Sequence, residues 1–182
     1  MNDPSDPYDL DFTRFDPLPA ITRAQTQNIA PTVAASSSQL KANGFYITIP
    51  RRNVNARITT RKPLILIIDD DISIRKILEK FLGEDGYETR LAGNCDEIMR
   101  EISRQPLPDL ILCDVEMPDA NGFDLLNKFR QSKVLGKVPV VMLTRRNEKK
   151  DIVLGITLGA AGYITKPTKI EVLKNAMREL LR

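Results

Sequence analysis

Three short apolar runs, LILII (64–68), DLILC (109–113) and VPVVML (138–143), each lead directly into an oxygen-bearing side chain: Asp69, Asp114 and Thr144. An unbroken apolar strand has no face left for water. It must be covered on both sides, which is the situation of a central strand in a parallel sheet. Runs of this length fall far short of the roughly 18 apolar residues that a membrane helix needs. The chain is therefore constrained to a sheet buried between two helical layers, with polar groups gathered at the ends of its strands.

The segments between these runs supply the helices. Residues 72–83 carry Ile74, Ile77, Leu78, Phe81 and Leu82 at helical spacing, and Gly86 closes that element. YETRLA (87–92) alternates as an edge strand does, and Asn94 with Glu97 opens a helix running to about Arg104. Asn121 caps a helix with Phe123, Leu125, Leu126 and Phe129 inward, and another spans roughly 147–158. A short strand, YIT (163–165), precedes a capping box of Thr168 and Glu171 and a last helix with Ile170, Leu173, Met177 and Leu180 inward. The order is β-α five times over in residues 63–182, which predicts a doubly wound parallel sheet with helices on both faces. Ligands of such folds sit beyond the carboxyl ends of the strands.

At those ends the sequence places Asp69-Asp70-Asp71, Asp114, Thr144 and Lys166-Pro167. Clustered carboxylates repel one another unless a cation neutralises them. Oxygen-rich clusters suit Mg²⁺, which keeps several waters and shares its shell with phosphate. A nearby lysine and hydroxyl would balance a second anion. The chain contains no histidine, so Ser-His-Asp and Cys-His catalysis and His-bound zinc are excluded. Cys95 and Cys113 form no disulfide framework, and a reducing cytoplasm is the expected compartment.

LIIDDD, ILCDVEMPDANG, VVMLT and GYITKP, in this order, resemble the four signature stretches of response-regulator receiver domains, and the likeness covers 63–182. It implies a flavodoxin-like (βα)₅ fold with a five-stranded sheet, acting in two-component phosphorelay signalling rather than as an enzyme on a separate substrate. Asp114 is then the phosphoacceptor. Asp69 and Asp70 hold Mg²⁺ together with Asp114 and the backbone carbonyl of Glu116, and Asp71 caps the first helix. Thr144 and Lys166 contact the phosphoryl oxygens, and Tyr163 is the aromatic switch. The Lys166-Pro167 bond is expected to be cis, and Gly122 to serve a positive φ in the loop after Asp114. The chain departs from the family at Arg145, where a small residue is usual. Arg146 is expected to face Glu116 across the site, so Arg145 and Arg146 are the tuning positions.

Residues 1–62 stand apart. Prolines at 4, 7, 17, 19 and 31 and Ser36-Ser37-Ser38 lead to the expectation of a largely disordered extension. It carries eight Lys/Arg against five Asp, whereas 63–182 carries nineteen of each sign, so the net +3 belongs to the extension, basic at 44–62. GFYITIP (44–50) alternates like a strand and has three fates: pairing with a sheet edge here, pairing in a partner, or staying unpaired. The MNDPSDPYDLD start has no secretory h-region and no membrane insertion is expected.

The phosphodonor is expected to be a separate histidine kinase or histidine phosphotransfer protein. No output domain is expected after Arg182; a downstream protein is expected to dock at about 147–182, and a homodimer through that face is compatible with the sequence. Nucleic acid is disfavoured as a partner. Three other readings stay open: a phosphate-insensitive interaction module blocked by Arg145, a receiver controlling a nucleic-acid-binding N-terminal segment, and an aspartate-nucleophile phosphatase with Glu116 in proton transfer.

Overall fold

The structure, a computed structural model, describes residues 10, 12, 14–20, the backbone of 45–47, and 61–181. From the amino end the elements are β1 (Phe45–Ile47), β2 (Leu64–Ile68), α1 (Ile72–Glu84), β3 (Glu88–Ala92), α2 (Cys95–Ile102) and β4 (Leu110–Cys113). They continue as α3 (Gly122–Gln131), β5 (Val140–Thr144), α4 (Lys149–Thr157), β6 (Gly162–Thr165) and α5 (Ile170–Leu180). One sheet holds all six strands in the order β1-β6-β5-β4-β2-β3.

The five strands β2 to β6 are mutually parallel, as the alternation of elements requires. Strands β2, β4 and β5 are buried along their whole length, and the apolar runs dictate this. Alternate residues serve the two faces. Ile65, Ile67, Leu112, Val141, Leu143 and Ile164 pack under Leu78 and Leu82 of α1 and Leu173 and Met177 of α5. Leu66, Ile68, Ile111, Cys113, Met142 and Tyr163 pack under α2, α3 and α4.

Local capping follows the sequence in three helices and fails in one. Asp71 Oδ1 accepts from the Ser73 and Ile74 amides at 2.8 and 3.4 Å, starting α1. Asn94 and Asn121 cap α2 and α3 through bonds of 2.8 and 2.9 Å. The Thr168–Glu171 box does not form. Helix α5 begins one residue later than that box requires, with Lys169 as N-cap, and Thr168 Oγ1 is buried without a partner. Ile77, expected inward, is half exposed, because α1 turns that side away from the sheet.

Two stretches of 1–62 lie against the domain. Leu10 is buried, and Phe12, Phe15 and Leu18 pack against the α2–α4 side of the core. Phe12 meets Phe129 of α3 edge-on at 6.4 Å, and Lys128 Nζ lies 5.0 Å from the centre of the Phe15 ring. Four apolar side chains at short spacing bring their surface from a proline-bearing segment onto the core. The second stretch is β1, which pairs antiparallel with β6 and takes the first of the three fates open to 44–50. Residues 21–44 and the basic 48–60 lie outside the described residues.

Candidate functional site

The pocket is made by chain ends that the sheet delivers to one rim. Asp69 follows β2, Asp114 follows β4, Thr144 ends β5 and Lys166 follows β6. Backbone bonds fix the first two: the Asp114 amide donates to Ile68 O at 2.8 Å and the Asp69 amide to Ala92 O at 3.1 Å. Lys166 is fixed likewise, its amide donating to Thr144 O at 2.7 Å. The Lys166–Pro167 bond is cis, as expected.

Carboxylate oxygens of Asp69, Asp70 and Asp114 all lie within 4.8 Å of one another. Asp69 and Asp114 are buried, whereas Asp70 is exposed at the mouth. Lys166 Nζ bridges the buried pair, 2.5 Å from Asp69 Oδ2 and 2.9 Å from Asp114 Oδ2. Burial pushes the Asp69 carboxyl above its ordinary range; the Lys166 contact opposes that rise and the Asp114 charge adds to it. Asp69 Oδ1 accepts from the Asp71 amide at 3.0 Å, and Asp114 Oδ1 accepts from the Val115 amide at 2.7 Å. One ammonium thus faces three carboxylates, leaving a net negative pocket with oxygen donors on one side.

Sequence reasoning missed Arg75. From α1 it reaches back so that Nη1 donates to Asp69 O, and to Asp70 O at 3.1 Å. A Cβ on Gly93 would lie 2.2 Å from that nitrogen, so glycine there leaves the guanidinium its place. Nothing in the local pattern distinguishes Arg75 from a solvated helix charge.

Gly122 is needed for a different reason from the one expected. It does not have a positive φ; Gly86 and Gly159 do. As the first residue of α3 it lies against the strand end, and a Cβ there would stand 2.0 Å from Asp114 O. The glycine lets α3 start directly behind the Asp114 backbone.

The two tuning arginines meet different groups. Arg145 is exposed, and its charge contributes to holding the Asp71 carboxyl below its ordinary value, chiefly an effect of the Ser73 and Ile74 amides. The expected Arg146–Glu116 pairing is not what forms: Arg146 Nη2 lies 3.2 Å from Asp151 Oδ1. Asp151 is buried in the first turn of α4 and must find a cation, whereas Glu116 is exposed and served by water. Thr144 is fully buried, with its Oγ1 accepting from the Arg146 amide at 3.2 Å. Tyr163 is turned inward with no exposure, and its hydroxyl donates to Arg146 O at 2.9 Å. Of the nine residues singled out from sequence, Asp69, Asp70, Asp114 and Lys166 converge on one point. Thr144 and Tyr163 join behind it through Arg146, while Glu116 and Arg145 present their side chains to solvent.

Residues 65–178 match the response regulator receiver domain family. Among curated proteins, the chain is 35% identical over 120 residues to the transcriptional regulatory protein AfsQ1 of Streptomyces coelicolor, covering 66% of this chain and 52% of that protein. It is 36% identical over 123 residues to the DNA-binding response regulator MtrA of Mycobacterium bovis, covering 68% and 52%. The chain thus spans about half the length of the curated relatives it matches. Among solved structures, the Vibrio cholerae chemotaxis protein CheY4 superposes with a TM-score of 0.62 at 29% identity, covering 66% of this chain and 99% of that one. A two-component response regulator from Clostridium difficile gives 0.62 at 32% identity, covering 66% and 97%.

Proposed function

The chain belongs to the response regulator receiver domain family, and on that footing we propose that it accepts a phosphoryl group on Asp114 in a phosphorelay. The observation that carries this reading is the Asp69–Asp70–Asp114 cluster bridged by Lys166 Nζ. In the transfer, an Asp114 carboxylate oxygen attacks phosphorus in line, forming an acyl phosphate. The phosphorus–nitrogen bond of a phosphohistidine donor breaks, and the imidazole nitrogen keeps the electron pair and takes up a proton. The donor is a separate histidine kinase or phosphotransfer protein, since this chain has no histidine.

The donor set fits a hard divalent cation: three carboxylates, two of them buried, with a single ammonium against them. Asp69, Asp70 and Asp114, with the Glu116 carbonyl, are proposed to hold Mg²⁺, which would offset charge on the transferring phosphoryl oxygens. Lys166 leaves Asp69 for a phosphoryl oxygen, and Thr144 Oγ1 offers the other contact once released from the Arg146 amide. Because that amide and the Tyr163 hydroxyl meet on Arg146, movement of Thr144 is felt by β6 and α4, the surface at about 147–182 to which a downstream protein would bind.

The phosphate-insensitive reading rested on Arg145 filling the site, and an exposed Arg145 does not favour it. The exclusion of nucleic acid gains no support either, since relatives of this chain are named as DNA-binding and transcriptional regulators. Nucleic acid is therefore retained as a partner of the whole protein. Among the described residues no helix is long and apolar enough to cross a membrane. A cytoplasmic location is proposed with the phosphorelay reading, from the receiver-domain family alone. Intact-mass measurement after incubation with acetyl phosphate and Mg²⁺ tests the proposal. Wild type should gain one phosphoryl group, while Asp114→Asn and EDTA-treated protein should not. An unmodified wild type that binds Mg²⁺ would overturn it.

A further inference from the structure

Asp69 and Asp70 directly follow β2, and the peptide planes around them are all held. The Asp69 amide donates to Ala92 O at 3.1 Å, at the end of β3. Arg75, in the first turn of α1, donates from Nη1 to Asp69 O, and to Asp70 O at 3.1 Å. The peptide joining Asp70 to Asp71 is held at its other end as well, because the Asp71 amide donates to Asp69 Oδ1 at 3.0 Å. One guanidinium nitrogen therefore acts on the Asp69 carboxylate through a single peptide plane. The other oxygen of that carboxylate, Oδ2, is held by Lys166.

We infer that Arg75 is a positioning residue for the proposed Mg²⁺ site: it holds the Asp69–Asp70 main chain so that the two carboxylates, and not the carbonyls beside them, are offered to the cation. This role rests on the phosphoacceptor reading above. A carbonyl that already accepts from a guanidinium is a poor ligand for a second cation, since two positive charges would meet at one oxygen. A site for Mg²⁺ must be near-octahedral and tolerates little misplacement of its ligands. Groups that orient a metal's ligands from outside are a recurring part of such sites. The role grows during transfer. Once Lys166 moves to a phosphoryl oxygen, Asp69 loses its Oδ2 contact, and its orientation then depends on the Asp71 amide and the plane that Arg75 holds.

The loop after β3 is shaped to admit this guanidinium. A Cβ on Gly93 would stand 2.2 Å from Arg75 Nη1, 2.8 Å from Cζ and 3.0 Å from Nη2. Gly93 is itself fixed, its amide donating to Glu97 Oε2 at 2.6 Å, while the Glu97 amide donates to Asn94 Oδ1 at 2.8 Å. Its φ is not positive, so the backbone at 93 does not require glycine. Space does. The atoms that an added Cβ would strike are the far end of a long side chain, which can swing aside into solvent. Gly93→Ala therefore evicts the guanidinium while leaving its charge on the chain and the loop backbone in place.

The test is a Mg²⁺ titration of the full chain, followed by the backbone amide shifts of Asp69–Asp71 and Asp114–Glu116, with urea unfolding to confirm that each variant is folded. Arg75→Ala and Gly93→Ala should each weaken Mg²⁺ binding by roughly 10–100-fold, the range for groups that orient metal ligands. The double variant should bind no more weakly than Arg75→Ala alone, since both changes remove one contact. Acetyl-phosphate labelling of Asp114 should slow in both at low Mg²⁺ and return to the wild-type rate once Mg²⁺ saturates, which a general packing defect would not allow. Lys76→Ala, which removes an exposed partner of Glu79 one residue further along α1, should bind Mg²⁺ as wild type does. Equal affinity in wild type and Arg75→Ala would overturn the role of Arg75 and leave the phosphoacceptor reading standing. Weakening in Arg75→Ala but not in Gly93→Ala would assign the effect to charge at a distance and overturn the positioning. A wild type that does not bind Mg²⁺ would overturn both.

Discussion

Arg146 Nη2 lies 3.2 Å from Asp151 Oδ1, fastening the loop after β5 to the first turn of α4. The same residue donates its amide to Thr144 Oγ1 and accepts the Tyr163 hydroxyl at its carbonyl. One residue thus connects the strand end at the pocket, the inward tyrosine and a helix of the proposed docking face. Removing the guanidinium leaves the Asp151 carboxylate, only 6% exposed, without its cation. Because Arg146 itself is 35% exposed, water compensates part of the loss, and Arg146→Ala should cost about 1–2 kcal/mol, below the figure for a fully buried pair. Urea unfolding measures it. A double-mutant cycle with Asp151→Asn should show coupling of that order, and one with Glu116→Gln none. The reverse pattern would restore Glu116 as the partner.

Lys166 shares its ammonium between Asp69 and Asp114 and is itself only 11% exposed. Lys166→Met leaves the two buried carboxylates facing each other uncompensated. In metal-free buffer this variant should lose about 2–4 kcal/mol. Added Mg²⁺ should recover much of that loss, and should stabilise the variant more than wild type. Thermal melts with and without Mg²⁺ decide the matter. Equal Mg²⁺ stabilisation of both proteins would mean that the cation does not bind between these carboxylates.

The parallel sheet was legible because three apolar runs admit no exposed face, and each ends at a residue the pocket uses. Asp69, Asp114, Thr144 and Lys166 could be placed on one rim from element order alone, since parallel strands bring all their carboxyl ends to one side. What escaped was what lies across tertiary space without a local period. Arg75 sits at an ordinary helical position, and only the approach of Gly93 shows where its guanidinium goes. The partner of Arg146 turned on burial, not proximity in sequence: Asp151 is enclosed and Glu116 is not. Composition concealed the N-terminal anchor, because four apolar residues among prolines and aspartates carry no period, yet Phe12 finds the Phe129 edge.

Gly122 makes a sharp steric case. An added Cβ would lie 2.0 Å from Asp114 O and 2.7 Å from Val115 Cα, both backbone atoms that cannot rotate aside. Either α3 or the strand end carrying Asp114 must shift. Gly122→Ala should destabilise by about 3 kcal/mol, the upper part of the usual overpacking range, and should slow acetyl-phosphate labelling of Asp114. Gly83 is the control, since nothing lies within 4 Å of its added Cβ. Gly83→Ala should be neutral or stabilising in the same denaturation and labelling assays.

Cys95 offers a pH-dependent readout. Burial, with the Asp119 charge behind it, pushes its thiol up to about 11. At pH 8 iodoacetamide should modify it more slowly than an unhindered thiol, with the rate still climbing as pH approaches 11. The unfolded thiol ionises first, so between about pH 9 and 11 the folded state binds more protons and stability falls as pH rises. Buried Cys113 and Tyr163 are also shifted upward by burial and contribute with the same sign. Denaturant midpoints for wild type and Cys95→Ser across that window should diverge, with the wild type falling more steeply. Parallel curves would show that the thiol ionises as easily folded as unfolded.

The inward Tyr163 depends on Gly155 of α4, where an added Cβ would stand 3.0 Å from ring atom Cδ2 and 3.3 Å from Cε2. These distances are tight but not forbidding, so Gly155→Ala should cost about 1 kcal/mol while tilting the ring outward and stretching its bond to Arg146 O. The hydroxyl would then meet water, and its ionisation, now held high by burial, should move back toward the ordinary phenol value. Titration of ¹³C-labelled tyrosine resonances reads this directly, with Tyr163→Phe identifying the signal. If coupling runs through Arg146, the Thr144 and Arg146 amide shifts should change together in Gly155→Ala. Movement of the Tyr163 signal alone would confine the tyrosine to a packing role.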